Sequence, residues 1–152
     1  MHMKYIPAFG FGLVIALLIT YGFHFSASFS PILSFITASQ GLTRNSPEWL
    51  MLLLHDGFIS LLLALFVISL YRRFLPRLPF NWLAGILMQL PMLYLMYRFG
   101  GFSMNFSTLY EVVISTVSII NGTSVIIIFT LLQGYNRYAK KKPDADIPLS
   151  PD

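Results

Sequence analysis

The sequence contains no cysteine. Disulfide bonds, thiolate metal sites and cysteine nucleophiles are therefore excluded. Charged residues are also scarce: they make up 11% of the chain, whereas a soluble domain carries about a quarter. This low charge, together with a hydrophobic content of 56%, is typical of a protein whose surface faces lipid rather than water.

Long apolar stretches fill most of the chain, at 5–25, 49–70, 80–97 and 109–132. Each is close to the ~20 residues that an α-helix needs to cross the hydrocarbon core of a bilayer. The sequence therefore predicts an all-α, polytopic membrane protein, with a bundle of four transmembrane helices in one domain over residues 1–136. Short connections predict that the third span packs beside both the second and the fourth. Residues 137–152 are polar, basic and proline-containing, and we expect them to form a disordered cytoplasmic tail.

Most of the cations lie at one end of the predicted bundle, namely Lys4, Arg72, Arg73, Arg77, Arg137, Lys140, Lys141 and Lys142. Only Arg44 and Arg98 fall at the other end. Cytoplasmic loops of membrane proteins are enriched in Lys and Arg, so this asymmetry predicts that both termini are cytoplasmic in a multi-pass protein of the inner (plasma) membrane. The net charge of +4 is then a consequence of topology. We expect the lipid bilayer, and not nucleic acid, to be the partner of these cations.

Small residues recur at helical spacing on three of the predicted spans, as Gly12, Ala16 and Thr20, as Ser60 and Ala64, and as Ser115, Ser118 and Gly122. Stripes of this kind let membrane helices approach closely. A single small bundle would not easily use all of them, so we expect the chain to pack against another membrane protein or a second copy of itself. The leading interpretation is a non-enzymatic accessory or structural subunit of a larger membrane assembly.

A candidate polar cluster lies toward the outer ends of the predicted spans and consists of His24, His55, Asp56, Arg98 and Glu111. A charge within a span costs on the order of 2.5–3.5 kcal/mol. We therefore expect these groups to point into the bundle and to pair with one another. Arg98 and Glu111 flank the same short loop, which favours an ion pair between them. Gln89 and Asn121 are expected to form interhelical hydrogen bonds.

Two other interpretations of this cluster stay open. A small proton- or ion-coupled transporter or channel would use His55, Asp56 and Glu111. An electron-transfer subunit would hold a b-type haem between axial imidazoles of facing helices, for which His24 and His55 are the candidates. The sequence contains no recognisable metal-ligand spacing and no nucleophile–base arrangement. We therefore predict no catalytic residue, no metal site and no other cofactor, and we disfavour an enzyme.

Overall fold

The computed structural model describes residues 3–29, 46–98 and 104–141, and their side chains except those of 23–29 and 139–141. A short 3-10 helix, Met3–Tyr5, leads into α1 (Ile6–Phe29). Three further helices follow: α2 (Pro47–Phe74), α3 (Trp82–Arg98) and α4 (Leu109–Lys141). All the regular structure in these ranges is helical, which confirms the all-α prediction.

Three segments are long and apolar enough to cross a membrane, namely Met3–Gly22, Pro47–Phe74 and Leu109–Tyr138. The helix α3 has 17 residues. At a rise of about 1.5 Å per residue it is roughly 25 Å long, which is shorter than the ~30 Å hydrocarbon core. A membrane protein is thus supported, and its fourth span remains a prediction. The helix α4 runs to Lys141, so residues 137–141 of the predicted tail are helical, and 142–152 lie outside the described residues.

The start of α2 follows from its local sequence. We expect Ser46-Pro47-Glu48 to begin a helix, because Ser favours the N-cap, Pro the first helical position and an acidic residue the first turn. In the structure, Ser46 is the N-cap, and its hydroxyl oxygen accepts a hydrogen bond of 3.2 Å from the Trp49 amide. This prediction is confirmed.

The four helices pack in a closed ring. The helix α1 packs against α2 and α3, and α4 packs against the same two helices from the other side. The prediction that α3 and α4 are neighbours is confirmed. The prediction that α2 and α3 are neighbours is wrong: α1 takes the position beside α3, although only residues 75–81 connect α2 to α3.

The physical reason is a backbone contact between α1 and α3 at Gly12. A Cβ added at Gly12 would clash with the carbonyl oxygen of Met88 and would lie 2.7 Å from the Met88 Cα. Ala8 and Ala16, one turn away on either side, are fully buried. The small residues of α1 therefore bring two backbones into contact, which is how membrane helices gain packing energy.

The surface of the bundle is more apolar than that of a soluble protein. Large apolar side chains are exposed along all four helices, among them Leu17, Phe66, Leu90 and Leu131. Buried polar side chains, in contrast, lie between the helices, among them Ser60, Gln89, Ser115 and Ser124. An extensive apolar surface of this kind is suited to contact with a membrane.

Candidate functional site

Asp56 lies on α2 at the interface with α4. Its Oδ2 atom accepts a hydrogen bond of 2.7 Å from Nδ2 of Asn121. The next residue, Gly57, is buried against side chains of Val117 and Ile120 on the same helix α4. The carboxylate therefore faces protein rather than lipid. A donor from a second helix is the compensation that an acidic group needs at this depth.

The polar residues next to Asp56 along the helix surfaces bond to their own backbones. Ser60 Oγ donates a hydrogen bond of 3.0 Å to the carbonyl oxygen of Asp56. On α4, Thr123 Oγ1 donates to the carbonyl oxygen of Ile119 at 2.6 Å. Ser124 Oγ donates to the carbonyl oxygen of Asn121 at 3.3 Å. These hydroxyls add polar groups around Asp56, and the bonds that they donate go to backbone carbonyl oxygens.

Gln89 joins α3 to the backbone of α4, one residue beyond Asn121. Its Nε2 atom donates to the carbonyl oxygen of Gly122, and its Oε1 atom accepts a hydrogen bond of 3.1 Å from the Ile126 amide. In an uninterrupted α-helix, that amide and that carbonyl would bond to each other. The Gln89 amide thus bonds to a carbonyl and an amide within one turn of α4. The prediction that Gln89 and Asn121 form interhelical hydrogen bonds is confirmed.

Several buried polar atoms in the predicted outer half of α2 and α4 have no hydrogen-bond partner among the described residues, namely His55 Nδ1, Glu111 Oε2, Asn121 Oδ1 and Trp49 Nε1. Two of these residues adjoin Asp56: His55 precedes it in sequence, and Asn121 donates a hydrogen bond to its carboxylate. Buried polar atoms are normally satisfied, so each such atom requires an explanation. The oxygens of Glu111 and Asn121 are acceptors inside the bundle, as is the Asp56 carboxylate, whereas Trp49 Nε1 is a donor.

The ion pair expected between Arg98 and Glu111 is not formed in the structure. Arg98 is exposed at the end of α3, and Glu111 is half-buried in the first turn of α4. Within the described part of the chain, no hydrogen bond or ion pair joins the two side chains. The backbone amide of Glu111 donates a hydrogen bond of 3.2 Å to Thr108 Oγ1, which caps the start of α4.

The haem hypothesis depends on His24. The helix α1 continues through this residue to Phe29, as a facing pair of imidazoles requires. The side chain of His24 lies outside the described residues, so its pairing with His55 stays a prediction. Among the residues that the structure describes, no group of three or more His, Cys, Asp or Glu side chains is placed to hold a metal ion.

The predicted small-residue stripes pack largely within the chain. Six of their eight residues are buried in the monomer, namely Gly12, Ala16, Ser60, Ala64, Ser115 and Gly122. Ser118 is half-buried, and Thr20 is exposed with its hydroxyl bonded to the Ala16 carbonyl oxygen at 2.7 Å. One small bundle does use most of these faces. The argument that the stripes require a partner therefore loses its main support.

The half of the bundle interior toward the 75–81 connection, which is the predicted inner half, is closed by packed apolar side chains. On α4, Val125 and Phe129 are fully buried and Ile128 is nearly so. Phe129 contacts the ring of Phe80 with a centroid distance of 4.3 Å. The polar interior around Asp56 therefore ends near Gln89 and does not continue to the inner end.

Sequence reasoning missed a second polar group, at the end of the bundle that carries most of the cations. Arg72 Nη2 donates to Asn136 Oδ1 at 3.3 Å, and Gln133 Nε2 donates to the Phe80 carbonyl oxygen at 3.0 Å. In the sequence, Arg72 is only a boundary charge. The available signal is on α4, where Gln133, Asn136 and Arg137 share one helix face at three- and four-residue spacing.

The roles of these residues are argued from their own contacts. No family model, no curated protein and no solved structure matches this chain.

Proposed function

We propose that this is a four-span protein of the inner (plasma) membrane that binds and carries a proton or a small cation at Asp56. The observation that supports the proposal is the set of acceptors in the bundle interior. The Asp56 carboxylate accepts a hydrogen bond from Asn121. Asn121 Oδ1 and His55 Nδ1 are both buried and have no hydrogen-bond partner among the described residues. An acidic residue inside a span is most often part of an ion or proton pathway.

The closed inner half of the bundle favours a carrier over an open channel. An open pore needs a continuous polar lining. Val125, Ile128 and Phe129 interrupt any such lining on α4 below the site. A carrier instead alternates access to a central site by rearranging its helices. The hydrogen bonds of Gln89 to Gly122 and Ile126 link α3 to α4 beside this site, so a rearrangement of one helix would move the other.

Flux measurements in proteoliposomes test this function. Purified protein is reconstituted with an internal pH dye, and proton uptake is followed after a potassium diffusion potential is imposed; parallel samples report sodium and potassium flux. We expect flux above that of empty liposomes, and we expect Asp56→Asn to abolish it, because the amide keeps the size of the side chain but removes its charge. Glu48→Gln is the matched control, since Glu48 is an acid in the first turn of the same helix.

Two results would contradict the carrier. The first is a wild-type flux equal to that of empty liposomes for protons, sodium and potassium. The second is an equal flux in Asp56→Asn and Glu48→Gln, since a site at Asp56 requires its charge.

A non-enzymatic accessory subunit of a larger membrane assembly is the second candidate, and a specific surface feature favours it. An apolar cavity of about 490 Å³ lies between α1 and α2 and is lined by residues that include Leu18, Tyr21, Leu62 and Phe66. Such a recess on a lipid-facing surface is suited to an apolar transmembrane helix of a partner protein. Unlike the small-residue stripes, it is not filled by the residues that the structure describes.

Photo-crosslinking in native membranes tests the accessory role. A photoreactive amino acid is placed at Phe66, beside the recess, and at Leu13, an exposed position of α1 outside its lining. We expect a discrete crosslinked polypeptide from position 66 and none from position 13. Crosslinks to lipid alone at both positions, with a monomer mass in mild detergent, would contradict this role.

A further inference from the structure

A partly polar cavity lies at the cation-rich end of the bundle. It has a volume of about 560 Å³ and is bounded by the end of α2, the 75–81 connection and the last turns of α4. Its polar lining comes from Arg72, Gln133, Asn136 and Arg137, and its apolar lining includes Leu78 and Phe80. This volume is within the range of small-ligand sites, roughly 300–1,000 Å³.

Hydrogen bonds between distant segments hold the cavity in shape. Tyr71 OH donates to the Pro79 carbonyl oxygen at 3.0 Å, and Gln133 Nε2 donates to the Phe80 carbonyl oxygen at 3.0 Å. The Arg72 guanidinium lies over the Phe80 ring, 4.9 Å from its centroid. The connection between α2 and α3 is thereby bonded to α4, so the backbone walls of the cavity are held together before a ligand arrives.

Among the described residues, no acidic side chain compensates the charge of the cavity. Two arginines line it, and no carboxylate is among its lining residues. Arg72 donates to the neutral Asn136 amide, and Arg137 has no hydrogen bond or ion pair with any described residue. The end of α2 contributes a partial negative charge of roughly half an elementary charge, which the two guanidinium groups exceed several-fold.

We propose that this cavity binds the phosphate headgroup of an anionic phospholipid. Guanidinium groups bind phosphate oxygens through paired N–H donors, and Arg72 and Arg137 both retain such donors. The amide of Asn136 supplies a neutral polar contact beside them. The apolar walls at Leu78 and Phe80 are suited to the glycerol and acyl portion of the same molecule.

A lipid is favoured over free phosphate by the position of the cavity. It lies where the apolar surface of the bundle ends and the cations begin, which is the depth of headgroups in a bilayer. Basic pockets between helices on the cytoplasmic side are typical of anionic lipid sites. This site is separate from the Asp56 centre, and it requires membrane insertion but not transport.

Native mass spectrometry of the full chain in detergent micelles tests the proposal with two probes, phosphatidylglycerol and phosphatidylcholine. We expect preferential retention of phosphatidylglycerol. Each arginine should contribute roughly fivefold, so Arg72→Gln with Arg137→Gln should reduce the preference about 25-fold. The matched control is Arg73→Gln with Arg77→Gln, which removes equal charge from exposed positions outside the cavity and should leave the preference unchanged.

Arg137→Gln alone keeps the test valid if the double variant fails to fold, because Arg137 makes no described contact that folding could lose. It should reduce the preference roughly fivefold. Equal losses in the cavity and control variants would overturn the proposal, since they would indicate diffuse attraction to the basic end. Displacement of the lipid by inorganic phosphate at equal concentration would overturn the assignment to lipid.

Discussion

At the scale of single residues, a buried amide between membrane helices must find hydrogen-bond partners in the protein, because lipid offers none. Gln89 and Asn121 meet this requirement in different ways. Gln89 bonds to a carbonyl and an amide of the α4 backbone, which are able to bond to each other in its absence. Asn121 donates to the side chain of Asp56. If Asn121 is lost, the α4 backbone cannot supply Asp56 with another donor, because its amides are already bonded within the helix.

The two amides should therefore differ in their contribution to stability. We expect Gln89→Leu to lower the free energy of unfolding by at most about 1 kcal/mol, because the two α4 backbone groups that it contacts can bond to each other. We expect Asn121→Leu to lower it by about 2 kcal/mol, because a carboxylate loses a donor in a low-dielectric interior. Unfolding of the purified variants in mixed micelles at increasing fractions of sodium dodecyl sulfate measures both values. A larger loss for Gln89→Leu would contradict this account of the α4 contact.

At the scale of elements, the arrangement of the helices depends on where two backbones can touch. The Gly12 contact with Met88 brings α1 beside α3, and α2 is left to pack against α1 and α4. Sequence separation would have placed α2 beside α3 instead. A stripe of small residues thus has more influence on the packing order than a short connection does.

A pair of glycines on α1 tests this conclusion. Gly12→Ala places a methyl group against backbone atoms of Met88, so the two helices must separate, and we expect a loss of about 1–3 kcal/mol in the free energy of unfolding. Gly10→Ala, on the same helix, places its methyl group where no atom lies within 4 Å. It should be neutral or slightly stabilising, because Ala is the better helix former. The same mixed-micelle assay compares them, and equal effects would show that the contact does not control the packing.

At the scale of the whole molecule, the open question is whether the short helix α3 crosses the bilayer. The start of α1, the 75–81 connection and the last part of α4 meet at one end of the bundle, where Asn81 Nδ2 donates to Tyr5 OH at 3.1 Å. Residues 104–108 precede α4 at its other end. If all four helices span the membrane, the 75–81 connection and residues 104–108 must lie on opposite sides.

The absence of native cysteine makes a labelling test direct. Single variants Arg77→Cys and Met104→Cys place a thiol at exposed positions in the two segments. In right-side-out membrane vesicles, we expect a membrane-impermeant maleimide to label Met104→Cys at once and Arg77→Cys only after permeabilisation. The unmodified protein is the blank. Labelling of both variants from the same side would mean that α3 does not cross.

The helices and the polar groups between them could be predicted from local sequence, because each segment that crosses a bilayer must be apolar and must satisfy its own backbone hydrogen bonds. Segment length and apolar content indicate membrane helices, and the Ser46 cap is specified by adjacent residues. The interhelical role of Gln89 and Asn121 follows in the same way, because a buried amide must be bonded.

Only the tertiary structure decided which partners these groups have. The pairing of Asp56 with Asn121, the bonding of Gln89 to the α4 backbone and the cavity between Arg72 and Arg137 join residues that are far apart in the chain. The packing of the small-residue stripes within one monomer was also decided there. The physical reason is that periodicity defines the face of a helix on which a residue lies, whereas the neighbour of that face depends on how closely all four backbones can approach one another.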